Sequence, residues 1–232
     1  MSKTTFITGA NKGLGFETAR RLTELGHTVL LGARDEGRGR RAAAGIGARF
    51  VRIDVTDDAS VAAAAADVAG VEGRIDVLIN NAGIAGNVGP VEELTGAETA
   101  RVLDTNVTGI VRVTAAFLPL LRASDAPAVV NVTSGLGSVA LTHDPERVES
   151  QVIAPAYAAS KAAVTLLTTQ YAKAFGGIRF NAVDPGYTAT DLNGGTGTQT
   201  VTEGTDAIVT LATEDPAAGT ARIIDRYGPL AW

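Results

Sequence analysis

The chain has 232 residues, 45% of them hydrophobic and 19% charged, which is enough apolar content to bury a core and excludes a disordered polymer. Its 20 Lys+Arg against 25 Asp+Glu leave a net charge of −5, which excludes a nucleic-acid binder that works by neutralising phosphates. The absence of cysteine removes disulfides, thiol catalysis and Cys-based zinc sites, and the two histidines, His27 and His143, have no ligand spacing, so no metal is expected.

The first strand is expected at Thr4 to Thr8. The polar and glycine-containing start that leads through it lacks the apolar stretch of a signal peptide, and no later run approaches the ~18 apolar residues of a membrane helix. A cytoplasmic protein with neither membrane nor nucleic-acid partner is expected. Immediately after this strand comes Thr8-Gly9-Ala10-Asn11-Lys12-Gly13-Leu14-Gly15, which opens a helix expected over Gly13 to Leu25. Glycines between a strand and a helix let a pyrophosphate approach the free N–H groups and positive dipole end of the helix. The spacing is G-x-x-x-G-x-G, which lacks the G-K-[ST] ending of an NTPase loop and points instead to a dinucleotide.

A second strand is expected at Thr28 to Ala33, followed by Arg34 and Asp35. A carboxylate here would hold the adenosine ribose of NAD, whereas a guanidinium suits the 2′-phosphate of NADP. Arg34, together with Lys12 of the glycine turn, points to NADP(H). Asp35 on the ribose, with Arg34 solvated, is the alternative and implies NAD. A helix at Glu36 to Ala44, a strand at Arg49 to Asp54, a helix at Ala59 to Ala69 and a strand at Val77 to Asn80 continue the alternation.

Beyond the fourth strand lie Asn80-Asn81-Ala82-Gly83 and a long helical stretch, Ala97 to Leu121. The strand Ala128 to Thr133 ends beside Ser134, and a helix expected over Pro155 to Phe175 carries Tyr157 and Lys161 four residues apart on one face. A cation one turn from a phenol favours the phenolate, so Lys161 is expected to depress the Tyr157 pKa. A sixth strand, Ile178 to Val183, precedes Asp184-Pro185-Gly186. The Gly/Thr-rich segment Leu192 to Thr200 is expected to be a mobile loop, followed by a helix at Val201 to Ala212 and a strand at Arg222 to Ile224.

Mostly continuous apolar strands alternating with helices predict an α/β fold: a doubly wound, mostly parallel, seven-stranded Rossmann sheet with helices on both faces, as one domain spanning 1–232. In such sheets ligands bind beyond the carboxyl ends of the strands, where the polar and glycine-rich motifs collect.

The ordered set Thr8-Gly9-x-x-x-Gly13-x-Gly15, Asn80-Asn-Ala-Gly83, Asn106, Ser134, Tyr157-x-x-x-Lys161 and Pro185-Gly186 resembles the short-chain dehydrogenase/reductase family over essentially the whole chain. The Asn-Lys-Gly-Leu-Gly turn and the Ala-Arg-Asp after strand two are similar to those of its carbonyl reductase-like NADPH branch. The resemblance implies that Tyr157 protonates a substrate carbonyl oxygen as hydride arrives at carbon, that Ser134 stabilises that oxygen, and that Lys161 holds the nicotinamide ribose. Asn106 would hold a water that relays protons to Lys161. Asp54 and Val55 would bracket the adenine, Asn81 to Gly83 would line the adenosine ribose side, and Thr188 and Thr190 would reach the carboxamide and phosphates.

Ser134 and Tyr157 are farther apart than the family's commonest spacing, so Ala140 to Ala154 is expected to be an inserted loop beside the pocket. Because it precedes the helix through which subunits usually meet, it leaves homo-oligomerisation open. Leu136, Val139, Ile153, Tyr187 and Leu192 are the expected pocket walls for a small-molecule carbonyl substrate. The expected activity is reduction of a ketone or aldehyde by NADPH; the alternatives are an NAD-dependent alcohol dehydrogenase and a non-catalytic NADP-binding redox sensor.

Overall fold

The computed structural model describes residues 2–87 and 89–232. Alternating strands and helices follow in chain order: β1 (Thr4–Ile7), α1 (Gly13–Glu24), β2 (Thr28–Ala33), α2 (Glu36–Ile46), β3 (Arg49–Arg52), α3 (Asp58–Val71), β4 (Val77–Asn80), α4 (Gly96–Leu103), α5 (Gly109–Arg122), β5 (Ala128–Val132), α6 (Val139–His143), α7 (Pro155–Ala174), β6 (Arg179–Val183), α8 (Val201–Gly204), α9 (Asp206–Thr213), β7 (Ile223–Asp225) and β8 (Gly228–Pro229). The strands form one sheet in the order β3-β2-β1-β4-β5-β6-β7-β8, parallel through β7, with β8 antiparallel at the edge. β8, a Gly-Pro pair with no apolar run, is an eighth strand beyond the seven expected from the sequence.

Successive side chains on a strand point to opposite faces, and the register turns this into two cores. Phe6, Leu30, Leu78 and Val129 lie side by side and pack into one cluster with Val113, Phe117 and Phe180. Their chain neighbours Ile7, Leu31, Ile79 and Val130 fill the other, against Leu22, Ile208 and Leu211. Both faces of the central strands are therefore covered, which explains why they read as unbroken apolar runs. Helix α3 contributes Val61, Ala64, Ala65 and Val68 to the first cluster, the i, i+3, i+4, i+7 stripe of an amphipathic helix.

Three segments differ from the sequence expectation. The long helix expected over Ala97 to Leu121 is interrupted by a five-residue π turn, Asp104–Thr108, between α4 and α5. The inserted segment is partly helical, with α6 followed by a 3-10 turn at Val148–Gln151. The Gly/Thr-rich loop folds back on itself: Ala189 N–H donates to Gln199 O at 2.9 Å and Gln199 N–H to Tyr187 O at 3.0 Å. No described helix is long and apolar enough to cross a membrane.

Candidate active site

Because β1 to β7 run parallel, their carboxyl ends lie on one edge, and the strand order changes direction between β1 and β4. A crevice at that switch point is where a nucleotide fits. The glycine turn sits there. Gly9 has φ +64° and a Cβ on it would stand 2.9 Å from Ala82 Cα, so both backbone conformation and space require glycine. The turn is stitched from below by the Asn81 amide, which donates to Thr8 O at 2.9 Å and Gly9 O at 3.2 Å, while Thr8 Oγ1 accepts the N–H groups of Asn81 and Ala82. Asn81 thus shapes the glycine turn, on which its side-chain amide is spent.

Helix α1 begins without a side-chain cap, which leaves N–H groups of its first turn available to an anion. Gly13, Leu14 and Gly15 form that turn, with half-buried Asn11 just before it. Thr190 faces Gly13 from the loop after β6. That loop also carries Pro185, Gly186 and Thr188, whose hydroxyl donates to Pro185 O at 3.0 Å. On the far side, half-buried Asp54 and buried Val55 follow β3. Asp54 accepts the Thr56 N–H and hydroxyl, and its carboxyl sits below the usual range despite the opposing effect of burial, because of these bonds and the nearby Arg34 guanidinium.

The two residues that separate the cofactor alternatives have different occupations. Asp35 caps α2, accepting Arg38 N–H at 2.8 Å, and also pairs with the Arg38 guanidinium at 3.1 Å. Arg34 is exposed at the end of β2 and makes no ion pair among the described residues. Lys12, expected to join Arg34 in a phosphate clamp, instead reaches across to Asp191 at 2.8 Å. The reason is reach: Asp191 begins the 3-10 turn after β6, directly opposite the glycine turn.

The catalytic candidates converge on the middle of the same edge. Gly137 lets the turn after β5 pack against the backbone of Lys161 and Ala162, where a Cβ would stand 2.5 Å from Ala162 N. Thr133 Oγ1 adds a bond to Lys161 O at 2.9 Å. Strand β5 and helix α7 are so fixed together, which brings Ser134 near the Tyr157 phenol. Lys161 is buried; its Nζ donates to Val132 O at 2.8 Å and lies 5.5 Å from the Tyr157 ring centroid. Asn106 occupies the π turn, whose extra residue brings its side chain inward. There its amide binds Ile84 O and Ser160 Oγ, and its Oδ1 accepts Ile84 N–H at 2.8 Å. A Cβ at Gly83 would lie 3.4 Å from Asn106 Oδ1 and 3.7 Å from Lys161 Nζ, so these two groups border one small space.

The electrostatics reverse one expectation. Burial pushes the Tyr157 phenol above its ordinary value, the Asp184 carboxylate adds to this, and the Ser134 hydroxyl opposes it. Lys161 pays for its own burial by falling to about 8, with Asp184 pulling the other way. In the free chain the largest influence on the Tyr157 phenol is its burial, not the cation one turn away.

Beside this centre lies a cavity of about 210 Å³, lined by Arg147, Val148, Glu149, Asp184, Tyr187, Asp225 and Tyr227 among others. Of the five expected walls only Tyr187 lines it. Val139 and Ile153 are 70% and 78% exposed, Leu192 is also exposed, and the inserted segment lines the cavity with Glu146, Arg147, Val148 and Glu149 instead. Glu149 and Asp184 are residues that sequence reasoning missed as site members; for Asp184 the signal was present, since it sits among the polar residues at a strand's carboxyl end.

Residues 3–200 match the short chain dehydrogenase family. The chain belongs to that family. It is 38% identical over 221 residues to the short-chain dehydrogenase anuI of Penicillium roqueforti, covering 90% of this chain and 87% of that protein. It is 32% identical to a (+)-neomenthol dehydrogenase of Arabidopsis thaliana, covering 89% and 90% of the two chains. Among solved structures, the NADPH-bound carbonyl reductase from chicken fatty liver superposes with a TM-score of 0.87 at 27% identity, covering 100% of this chain and 99% of that one. This short-chain dehydrogenase is therefore an oxidoreductase of a family that binds a nicotinamide cofactor, and the uncapped α1 terminus with its glycine turn fits such a group.

Proposed function

We propose that this short-chain dehydrogenase uses NADPH to reduce a ketone or aldehyde to the alcohol, the whole chain acting as one catalytic domain. The observation that carries the direction is the environment of Tyr157, whose burial beside Asp184 favours the protonated phenol, a proton donor, over the phenolate that alcohol oxidation needs. The Ser134 and Tyr157 hydroxyls lie near each other, and both can donate to one carbonyl oxygen, Ser134 steadying the charge that develops there and Tyr157 delivering its proton. Lys161 and Asn106 border the space behind the phenol, from which a proton can be returned. NADPH, when bound, would supply the hydride to the carbonyl carbon.

The cofactor choice rests on Asp35 and Arg34. Asp35 is spent on capping α2 and pairing with Arg38, which leaves no free carboxylate there for a ribose and supports phosphate recognition by Arg34. The NADPH-bound carbonyl reductase among the structural relatives and the (−)-isopiperitenone reductase of Mentha piperita, 32% identical over 286 residues, are in keeping with a reductase. Val148, Tyr187 and Tyr227 give the cavity some apolar surface for such a substrate.

The test pairs turnover with binding. Incubated with NADPH and a panel of cyclic and aryl ketones and aldehydes, the protein is expected to consume NADPH with at least one substrate. Tyr157→Phe is expected to lose ~10²- to 10⁴-fold in kcat while its NADPH affinity stays within ~3-fold. Undiminished reduction by Tyr157→Phe refutes the assignment of the proton donor.

A further inference from the structure

Two segments far apart in the chain meet over the glycine turn. Lys12 is the N-cap residue of α1 and makes no capping bond there; its Nζ donates instead to Asp191 Oδ2 at 2.8 Å, across 179 positions of sequence. The approach is not confined to the two charges. A Cβ at Gly13 would lie 3.8 Å from Thr190 Cγ2, so the loop after β6 stands directly opposite the first turn of α1. That turn is the part of the crevice suited to a phosphate, since its N–H groups have no side-chain cap.

Asp191 is held in place by bonds that leave its carboxylate free for Lys12. It opens the 3-10 turn Asp191–Asn193, which Thr190 caps by accepting the Leu192 N–H. The Asn193 side chain accepts the Thr190 N–H at 3.1 Å and donates to Thr188 O at 2.9 Å. Among the described residues, Lys12 is the side-chain partner of Asp191, and Asp191 that of Lys12. The two side chains are 59% and 76% exposed, and pairs so exposed contribute little to folding. What this pair does change is the charge of the site. The ammonium beside the uncapped turn is already matched by a carboxylate, and an incoming phosphate must take that ammonium from it.

We propose that Asp191 determines cofactor affinity by acting through Lys12: in the free chain its carboxylate holds the ammonium that a cofactor phosphate needs, so binding exchanges one anion for the other on Lys12. The proposal rests on the reading of this crevice as a nicotinamide nucleotide site. A ligand that binds only molecules in which a group is free is weakened by the fraction in which that group is free. The Lys12–Asp191 pair thus sets cofactor affinity below what the glycine turn and an unpaired Lys12 would give. A phosphate is the common chemistry, supplied either by the pyrophosphate of both nucleotides or by the 2′-phosphate of NADPH.

Fluorescence titration of the full chain at fixed, low salt with NADPH and, separately, NADH tests this. Asp191→Asn keeps the shape of the turn but removes the charge, and is expected to bind NADPH ~2- to 5-fold more tightly, the range that an exposed ion pair allows. Asp191→Glu keeps a carboxylate within reach of Lys12 and is expected to stay within ~1.5-fold of the unaltered protein, whereas a role in the shape of the turn alone would make it the more disruptive change. In a Lys12→Met background the gain from Asp191→Asn is expected to shrink below ~1.5-fold, because the competitor then has nothing to withhold. An equal gain with NADH assigns the exchange to the pyrophosphate, and a gain with NADPH alone assigns it to the 2′-phosphate. Unchanged or weaker NADPH binding by Asp191→Asn overturns the proposal, as does a gain that persists in full without Lys12, which would mean direct repulsion of the cofactor. An unaltered protein that binds neither nucleotide refutes the cofactor reading and the proposal together, whereas nucleotide binding that ignores Asp191→Asn refutes the proposal alone.

Discussion

Arg34→Ala separates the two cofactor readings most directly. The side chain is exposed and unpaired among the described residues, so its removal costs little folding energy; the principal local consequence is that Asp54 loses a nearby cation and its carboxyl rises toward the ordinary value. What would be lost on binding is a guanidinium grip on a phosphate, a pair of charge-assisted hydrogen bonds contributing ~1.5–3 kcal/mol, or ~10- to 150-fold in Kd. Fluorescence titration at fixed salt is expected to show this weakening for NADPH and a change within ~2-fold for NADH, which lacks the phosphate. Asp35→Ala supplies the counter-test. Because Asp35 caps α2, its removal is expected to cost ~1 kcal/mol of stability while leaving NADH affinity in place. If Arg34→Ala leaves the NADPH-to-NADH ratio unchanged, or Asp35→Ala selectively weakens NADH, the guanidinium reading is wrong and the ribose-binding carboxylate is right.

Three other perturbations have defined outcomes. Lys161 titrates at about 8 in the free chain, so its positive charge is present below that value and lost above it; kcat/KM for NADPH is expected to fall tenfold per pH unit above about 8, and a flat profile to ~pH 9.5 would contradict the buried, lowered lysine. Gly9→Ala meets both a positive φ and Ala82 Cα at 2.9 Å, so thermal melting and NADPH titration are expected to show lost stability together with weakened cofactor binding; retention of both would mean that the turn relaxes freely. Asn81→Ala leaves two backbone carbonyls of the same turn without their donor, a loss of ~1–3 kcal/mol that calorimetry should register as a Tm lower by ~2–10 °C.

What was legible in the sequence is what local rules determine. Phe6 and Ile7 face opposite cores because a strand alternates, and Tyr157 and Lys161 share a face because a helix repeats; neither depends on distant residues. The glycine turn was legible because strand, glycines and helix are contiguous. The π turn at Asn106 was not: nothing in the run Asp104 to Thr108 marks an extra residue, which is sustained by contacts to Ile84 and Ser160 that only the tertiary fold provides. The Lys12–Asp191 pair was not legible for a related reason, since Asp191 is distant in the chain. The surroundings of Tyr157 were the least legible. Reading along the helix finds the cation at Lys161, whereas the groups that act on the phenol are Ser134 after β5 and Asp184 after β6, with Glu149 of the inserted segment acting on Asp184 in turn. The family's motifs therefore mark residues that the fold gathers at one site, while the environment of the phenol at their centre depends first on its burial and then on Asp184, which no pattern along α7 reveals.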